Sequence, residues 1–186
     1  MRPADHPEFF RFPAPEGRSR ESSIVLDAAG RFHHDGALVE HPGMARAFAS
    51  WIDRHPDDGR FILNNGYDWS YFRVEDAPFF VLGLREQAGE LRLLLSDGSE
   101  DSLDPASLVV GGAPDRGQES ALGAGAQKSD TQDVLYTTVK NGKFRARFTQ
   151  AAQIALGDWL VPGENGQIFL EIAGVRHTLG TFGEGS

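Results

Sequence analysis

A chain of 186 residues, 40% hydrophobic with 13 Phe and 3 Trp, is long enough to bury a sizeable core in one domain or two small ones. It contains no Cys, which excludes a disulfide framework, a thiolate nucleophile and any cysteine-ligated zinc or iron–sulfur cluster. The net charge of −9 belongs to the amino-terminal part, because residues 134–180 carry five Lys and Arg against three Asp and Glu; so acidic a body repels phosphate backbones and argues against nucleic acid as a partner.

Residues 1–20 are rich in Pro and Arg and hold no sustained period, so they read as a flexible amino-terminal arm with Phe9, Phe10 and Phe12 as anchors. Residues 24–26 and 31–33 flank Asp27-Ala28-Ala29-Gly30 and predict a hairpin. Pro42 then opens a helix in which Met44, Ala47, Phe48, Trp51 and Ile52 fall on one 3.6-residue stripe, ended by His55-Pro56 and Gly59. Strands over 60–63 and 69–74 follow, around an Asn64-Asn65-Gly66-Tyr67-Asp68 turn. Next comes Val74-Glu75-Asp76-Ala77-Pro78-Phe79, in which Pro78 has no donor for a ladder, so a strand breaks or bends beside two acids.

Residues 79–84 and 91–96 predict a second hairpin, whose Phe79-Phe80-Val81-Leu82 reads as a strand covered on both faces, and residues 108–110 a further strand. Residues 113–133 lack bulky apolar side chains and read as a loop or linker. Beyond them, strands at 134–139 and 143–148 flank Lys140-Asn141-Gly142, a strong hairpin signal because an Asn-Gly turn needs positive φ. Thr149 caps a helix with Ala151, Ala152, Ala155, Leu156 and Trp159 on one face, and Pro162 and Gly163 end it. A hairpin at 167–172 and 175–179 through Ala173-Gly174 closes the chain. Both halves read strand, strand, helix, strand, strand. The fold class is therefore α+β, in two small units with repeated hairpin-helix-hairpin motifs and a β-rich middle segment. The amino-terminal unit covers 21–75, and a carboxyl-terminal β-rich unit covers 76–186.

Candidate functional residues fall in three groups. Glu75 and Asp76 form an acid/base pair only if a bend turns both to one side, because neighbours on a strand face opposite ways. Trp69, Tyr71 and Arg73 share one strand face, and if Ser70, Phe72 and Val74 supply the core they are left to meet a ligand or the other unit, whereas the reverse assignment buries Trp69 and Tyr71. Lys143, Arg145 and Arg147 alternate with Phe144, Ala146 and Phe148, giving a basic strand face that suits a phosphate, a carboxylate or an acidic segment. His33, His34 and His41 are poorly spaced for a metal, and the acid-rich stretch from Asp97 to Asp104 fails the EF-hand pattern, so no metal site is assigned. Phosphate-binding glycine loops and nucleophile elbows are absent from the sequence as well.

The hairpin with an internal Gly, the short helix, the Val74 to Phe79 motif, Gly30-Arg31-Phe32-His33 and the closing His177-Thr178-Leu179-Gly180 resemble the bacterial family called domain of unknown function 1285. That resemblance implies a two-domain α+β architecture with repeated motifs, no established activity and a part in signalling. Together with the residues it leads to the expectation of a non-catalytic cytoplasmic binding or regulatory module. Its ligand or protein partner and any cofactor are unidentified, and no membrane partner is expected, since no stretch approaches about 18 apolar residues. The alternative is an enzyme using Glu75 or Asp76 as acid/base.

Overall fold

Tight turns at positive φ cut the chain into short antiparallel strands, and the computed structural model describes residues 3–111, 134–164 and 167–181. The expected loop at 113–133 lies outside the described residues. The architecture is a β-rich α+β fold. The described residues fall into two compact units: the first runs to Phe79 and includes Ser96–Gly98, and the second holds Phe80–Leu95 and the described residues from Ser99 onward.

In the first unit β1 (Glu21–Leu26), β2 (Phe32–His34), β3 (Ala37–Leu38), β4 (Ile52–Arg54), β5 (Phe61–Asn64) and β6 (Trp69–Val74) form one sheet in the order β3-β2-β1-β6-β5-β4. Its neighbours are antiparallel except β1 and β6, which run parallel with Leu26 opposite Val74. The single helix α1 (Pro42–Ser50) begins with Pro at its first position and is capped by His41, whose Nδ1 accepts the Met44 N–H at 3.2 Å.

The predicted helical stripe is too long at both ends. Met44 is 51% exposed, and the helix stops at Ser50, so Ile52 lies in β4 opposite Leu63. The Trp51 N–H closes the last turn on Ala47 and Phe48 while its carbonyl accepts the Asn64 N–H at 2.7 Å, so the chain passes directly from helix to ladder. On the α1 side Phe32 packs edge-on to Phe48 at 5.5 Å and lies 6.4 Å from Phe72, which in turn lies 6.3 Å from Phe61.

The opposite face of the same sheet is covered by the amino-terminal residues, contrary to the reading of residues 1–20 as a flexible arm. Two 3-10 turns, Pro3–Asp5 and Phe9–Arg11, deliver Phe9 into a cluster with Ile62 and Trp69, and Phe10 and Tyr71 pack against its edge. Phe9 is 4% exposed. The physical reason is composition on β6: Trp69 and Phe72 point to opposite faces and both are buried, so one helix is not enough to cover the sheet.

The second unit contains β7 (Phe79–Gln87), β8 (Glu90–Leu95), β9 (Glu100–Ser102), β10 (Val109–Gly111), β11 (Val134–Val139), β12 (Phe144–Phe148), α2 (Gln150–Leu156), β13 (Leu160–Pro162), β14 (Ile168–Ile172), β15 (Val175–Thr178) and β16 (Gly180–Thr181). Seven strands make one sheet, in the order β16-β10-β11-β12-β7-β8-β9, and β13-β14-β15 make another. Phe79, Phe80 and Val81 are buried as a continuous run, but Leu82 is exposed where a bulge shifts the register between Val81 and Gly83.

Thr149 caps α2 by accepting the Ala152 N–H at 3.3 Å, and its own N–H and hydroxyl both donate to the Val81 carbonyl at 3.0 Å. Ala152 and Leu156 face the core. The helix ends at Leu156, earlier than predicted, because a 3-10 turn at Gly157–Trp159 leads straight into β13.

The Lys140-Asn141-Gly142 hairpin forms with Lys143 added to its loop, four residues rather than the expected three, with Val139 opposite Phe144 and positive φ at Lys140, Asn141 and Gly142. The β14–β15 hairpin turns on Ala173 (φ 49°) and Gly174 (φ 78°), and β7–β8 on Ala88 (φ 54°) and Gly89 (φ 81°). An alanine pays a steric penalty there that Asn avoids by hydrogen-bonding locally. Ala88→Asn, at an exposed tip, is therefore expected to stabilise the protein by about 0.5–1 kcal/mol. Urea titration would register this as a higher midpoint at unchanged slope, and a lower midpoint would contradict it.

Candidate functional site

The strand β6 carries three of the predicted binding residues, and the structure gives them three different environments. Trp69 is 5% exposed, so its ring is not offered to a ligand from the face predicted for it. Phe9 and Ile62 cover it, its Nε1–H donates to the Phe9 carbonyl at 3.4 Å, and the Arg20 guanidinium lies 4.3 Å from the ring centroid. Tyr71 is half-buried, its hydroxyl donates to Asp58 at 2.8 Å, and Arg60 stacks over its ring at 3.7 Å. Burial and the Asp58 hydrogen bond push the Tyr71 phenol up. Arg60 also forks onto Glu21 with two 2.8 Å bonds, which hold that carboxyl below its ordinary value. Arg73 is exposed, 3.7 Å from Glu75.

Parallel pairing of β1 with β6 sets the carboxyl ends of the two strands side by side, and there two of the sequence motifs meet. The Asp27 carboxylate follows β1 and organises the β1–β2 turn. Its Oδ1 accepts the Ala29 and Arg31 N–H groups at 3.0 and 2.8 Å, and its Oδ2 lies 2.9 Å from both Arg31 Nε and His33 Nε2. Burial alone would raise this carboxyl, but the bonds from the Arg31 N–H, the His33 ring, the Arg31 guanidinium and the Ala29 N–H outweigh it and hold the group below its usual range. Glu75 follows β6, and its carboxylate accepts the Ala28 N–H of the same turn at 3.3 Å while its own N–H donates to the Leu26 carbonyl.

Sequence reasoning singled out Glu75 and Asp76 and passed over Asp27. The signal was available, because Asp one position before an Ala-Ala-Gly turn is an Asx-turn residue. Glu75 is exposed, Asp76 half-buried and Pro78 buried. The arrangement ties a turn to a strand end, and its acids already serve as acceptors for the chain's own donors. His33 is spent on Asp27, His34 lies 3.7 Å from Asp35, and His41 caps α1. Among the described residues no three His, Asp or Glu side chains are grouped to hold a metal ion.

Of the basic row, Arg145 and Arg147 are on one face of β12, opposite the buried Phe144, Ala146 and Phe148. Arg145 stacks on the fully buried Tyr136 at 3.6 Å, Arg147 is half-buried, and Lys143 stands exposed in the hairpin loop. Lys140 donates its N–H to Asp101 at 2.6 Å and its ammonium to the Ser99 hydroxyl. The acid-rich stretch from Asp97 to Asp104 contributes β9, with Asp101 bound to the hairpin and Asp104 capping a 3-10 turn.

A pocket in the first unit went unread in the sequence. It is a half-open depression of about 210 Å³ at the end of the parallel pair opposite Asp27, and its walls include Arg18, Arg20, Phe48, Trp51, Asp68 and Trp69. Arg20 fixes its floor: one guanidinium nitrogen binds Asp68 at 2.5 Å and the Trp69 carbonyl at 2.7 Å, and the other binds the Phe12 and Pro13 carbonyls. The two arginines lie in the segment read as an arm, which is why the pocket had no sequence signal.

No protein-family model matches the chain, and no curated protein does so at a significant level. Among solved structures, a DUF1285 family protein from Shewanella baltica aligns at 20% identity and a TM-score of 0.48, over 72% of this chain and 88% of that one. A DUF1285 family protein from Silicibacter pomeroyi aligns at 18% identity and a TM-score of 0.61, over 93% of both chains. The chain thus has a DUF1285-like fold, and the resemblance read from its motifs holds at the level of architecture.

Proposed function

We propose that this protein is a non-catalytic binding module, with a regulatory or signalling role in the cytoplasm, and that its ligand occupies the first-unit pocket. The observation that carries this reading is the contrast between the two ends of the β1–β6 pair. At one end Asp27 and Glu75 spend their oxygens on Ala28, Ala29, Arg31 and His33, an arrangement that holds a turn and leaves little for proton transfer. At the other lies an aromatic-lined cavity whose floor is fixed by a four-bonded guanidinium.

A duplicated origin is part of the same proposal. The segments from β1 to β6 and from β11 to β15 both run from antiparallel strands through a helix, capped by the residue before it, into a three-stranded meander, although the first adds β3 before its helix. They differ in pairing, because β6 returns to β1 whereas β13-β14-β15 stay a separate sheet.

A melting-temperature screen of small metabolites against wild type, Arg18→Glu and Glu75→Gln tests the function. Stabilisation by a compound is expected in wild type and Glu75→Gln and lost in Arg18→Glu. Chemical turnover of a compound that ceases in Glu75→Gln or Asp76→Asn at unchanged melting temperature would favour the acid/base enzyme instead.

A further inference from the structure

The first-unit pocket holds more positive than negative charge, in a molecule whose net charge is −9. Arg18 and Arg20 line it, and Asp68 is its one lining acid. Asp68 is committed to Arg20, and Arg18 has no ion pair among the described residues. The balance is therefore one uncompensated cation.

The two arginines differ in kind. Arg20 is 17% exposed, stacked on Trp69 and held by four hydrogen bonds, so it is a fixed positive floor; its Nε is buried and has no acceptor. Arg18 is exposed at the wall, with its planar fork available to a carboxylate. Ile24, Phe48, Trp51, Leu63 and Trp69 supply apolar wall, beside the polar Ser19, Asn65 and Ser70. At about 210 Å³ the half-open space is smaller than the ~300–1,000 Å³ of sites for drug-sized ligands and suits a single ring or a short branched chain.

Resting on the binding-module reading, we infer that the pocket takes a small organic monoanion, a carboxylate on an apolar or single-ring body. Arg18 binds the carboxylate, and the Phe48 and Trp51 walls hold the body. One surplus positive charge matches a monoanion better than a phosphate dianion.

The test titrates the full chain with 3-phenylpropanoate, its neutral amide 3-phenylpropanamide, and inorganic phosphate, followed by calorimetry and tryptophan fluorescence. The acid is expected to bind with a change in tryptophan emission, the amide at least tenfold more weakly, and phosphate not to compete. Arg18→Gln is expected to weaken the acid at least tenfold at an unchanged melting temperature, since Arg18 is exposed. Equal binding of acid and amide would overturn the anion assignment while leaving a binding pocket in place. Competition by phosphate would overturn the need for an apolar body. Failure of both acid and amide to bind folded wild type, or acid binding unmoved by Arg18→Gln, would overturn the inference. In the first of these cases the reading of the pocket as the ligand site falls with it.

Discussion

Phe9→Ala is expected to destabilise the protein by about 3–5 kcal/mol, the usual cost of deleting a buried phenyl ring. Phe9 is the deepest contact of the amino-terminal segment, packed on Ile62 and Trp69, and its carbonyl accepts the Trp69 indole N–H. Without the ring the segment keeps edge and polar contacts: Phe10 on His55 at 5.8 Å, the Ala4 N–H on the Gly66 carbonyl, Arg11 on Asp57, and the clamp from Arg20 to Phe12 and Pro13. Water then reaches the Trp69 face of the sheet. In a Trp51→Phe, Trp159→Phe background, Trp69 emission should move to the red and acrylamide should quench it, while urea unfolding shifts to a lower midpoint. An unmoved midpoint with Trp69 still shielded would mean that Phe9 does not hold the segment in place.

The periodic parts of the fold were readable because local chemistry and tertiary need agreed there. Gly142 and Gly174 follow residues forced to positive φ, and Thr149 caps its helix as the pattern required. Helix α1 failed at its ends for a different reason. Its stripe continues through Ile52, and only the Asn64 N–H waiting for the Trp51 carbonyl, thirteen residues on, decides that the chain leaves the helix there.

The expectation that Trp69 is open to a ligand failed by the same kind of non-local override. Alternation on β6 correctly separated Trp69 and Tyr71 from Phe72, but alternation says which side a residue faces and not what covers that side. The cover comes from residues 3–12, whose Pro and Arg content hides three Phe in a segment with no period. Their ordering is offset only by burial against a sheet that lies some fifty positions away in sequence. The Glu75 motif was legible as a bend, because Pro78 is. Its bond to Ala28 was not, because nothing local states that β1 and β6 lie parallel.

That parallel register makes the strand-end turn the second place where one substitution should tell. Asp27→Asn keeps the size and one acceptor oxygen, but it removes the charge from four donors and turns an NH2 group toward Arg31 or His33. A loss of about 2 kcal/mol is expected at neutral pH, in the range for hydrogen bonds to a charged group that is 14% exposed. The pH dependence fixes the cause. The folded Asp27 carboxyl is held below its usual value, so its contribution is complete above the unfolded pKa of ~3.9 and is lost as pH falls through the lower, folded pKa. Wild type and Asp27→Asn should therefore differ most near neutrality and converge in acid below that folded value. Parallel urea titrations at the two pH values measure the gap. A difference that persists unchanged in acid would mean that the turn depends on the shape of the residue and not on its charge.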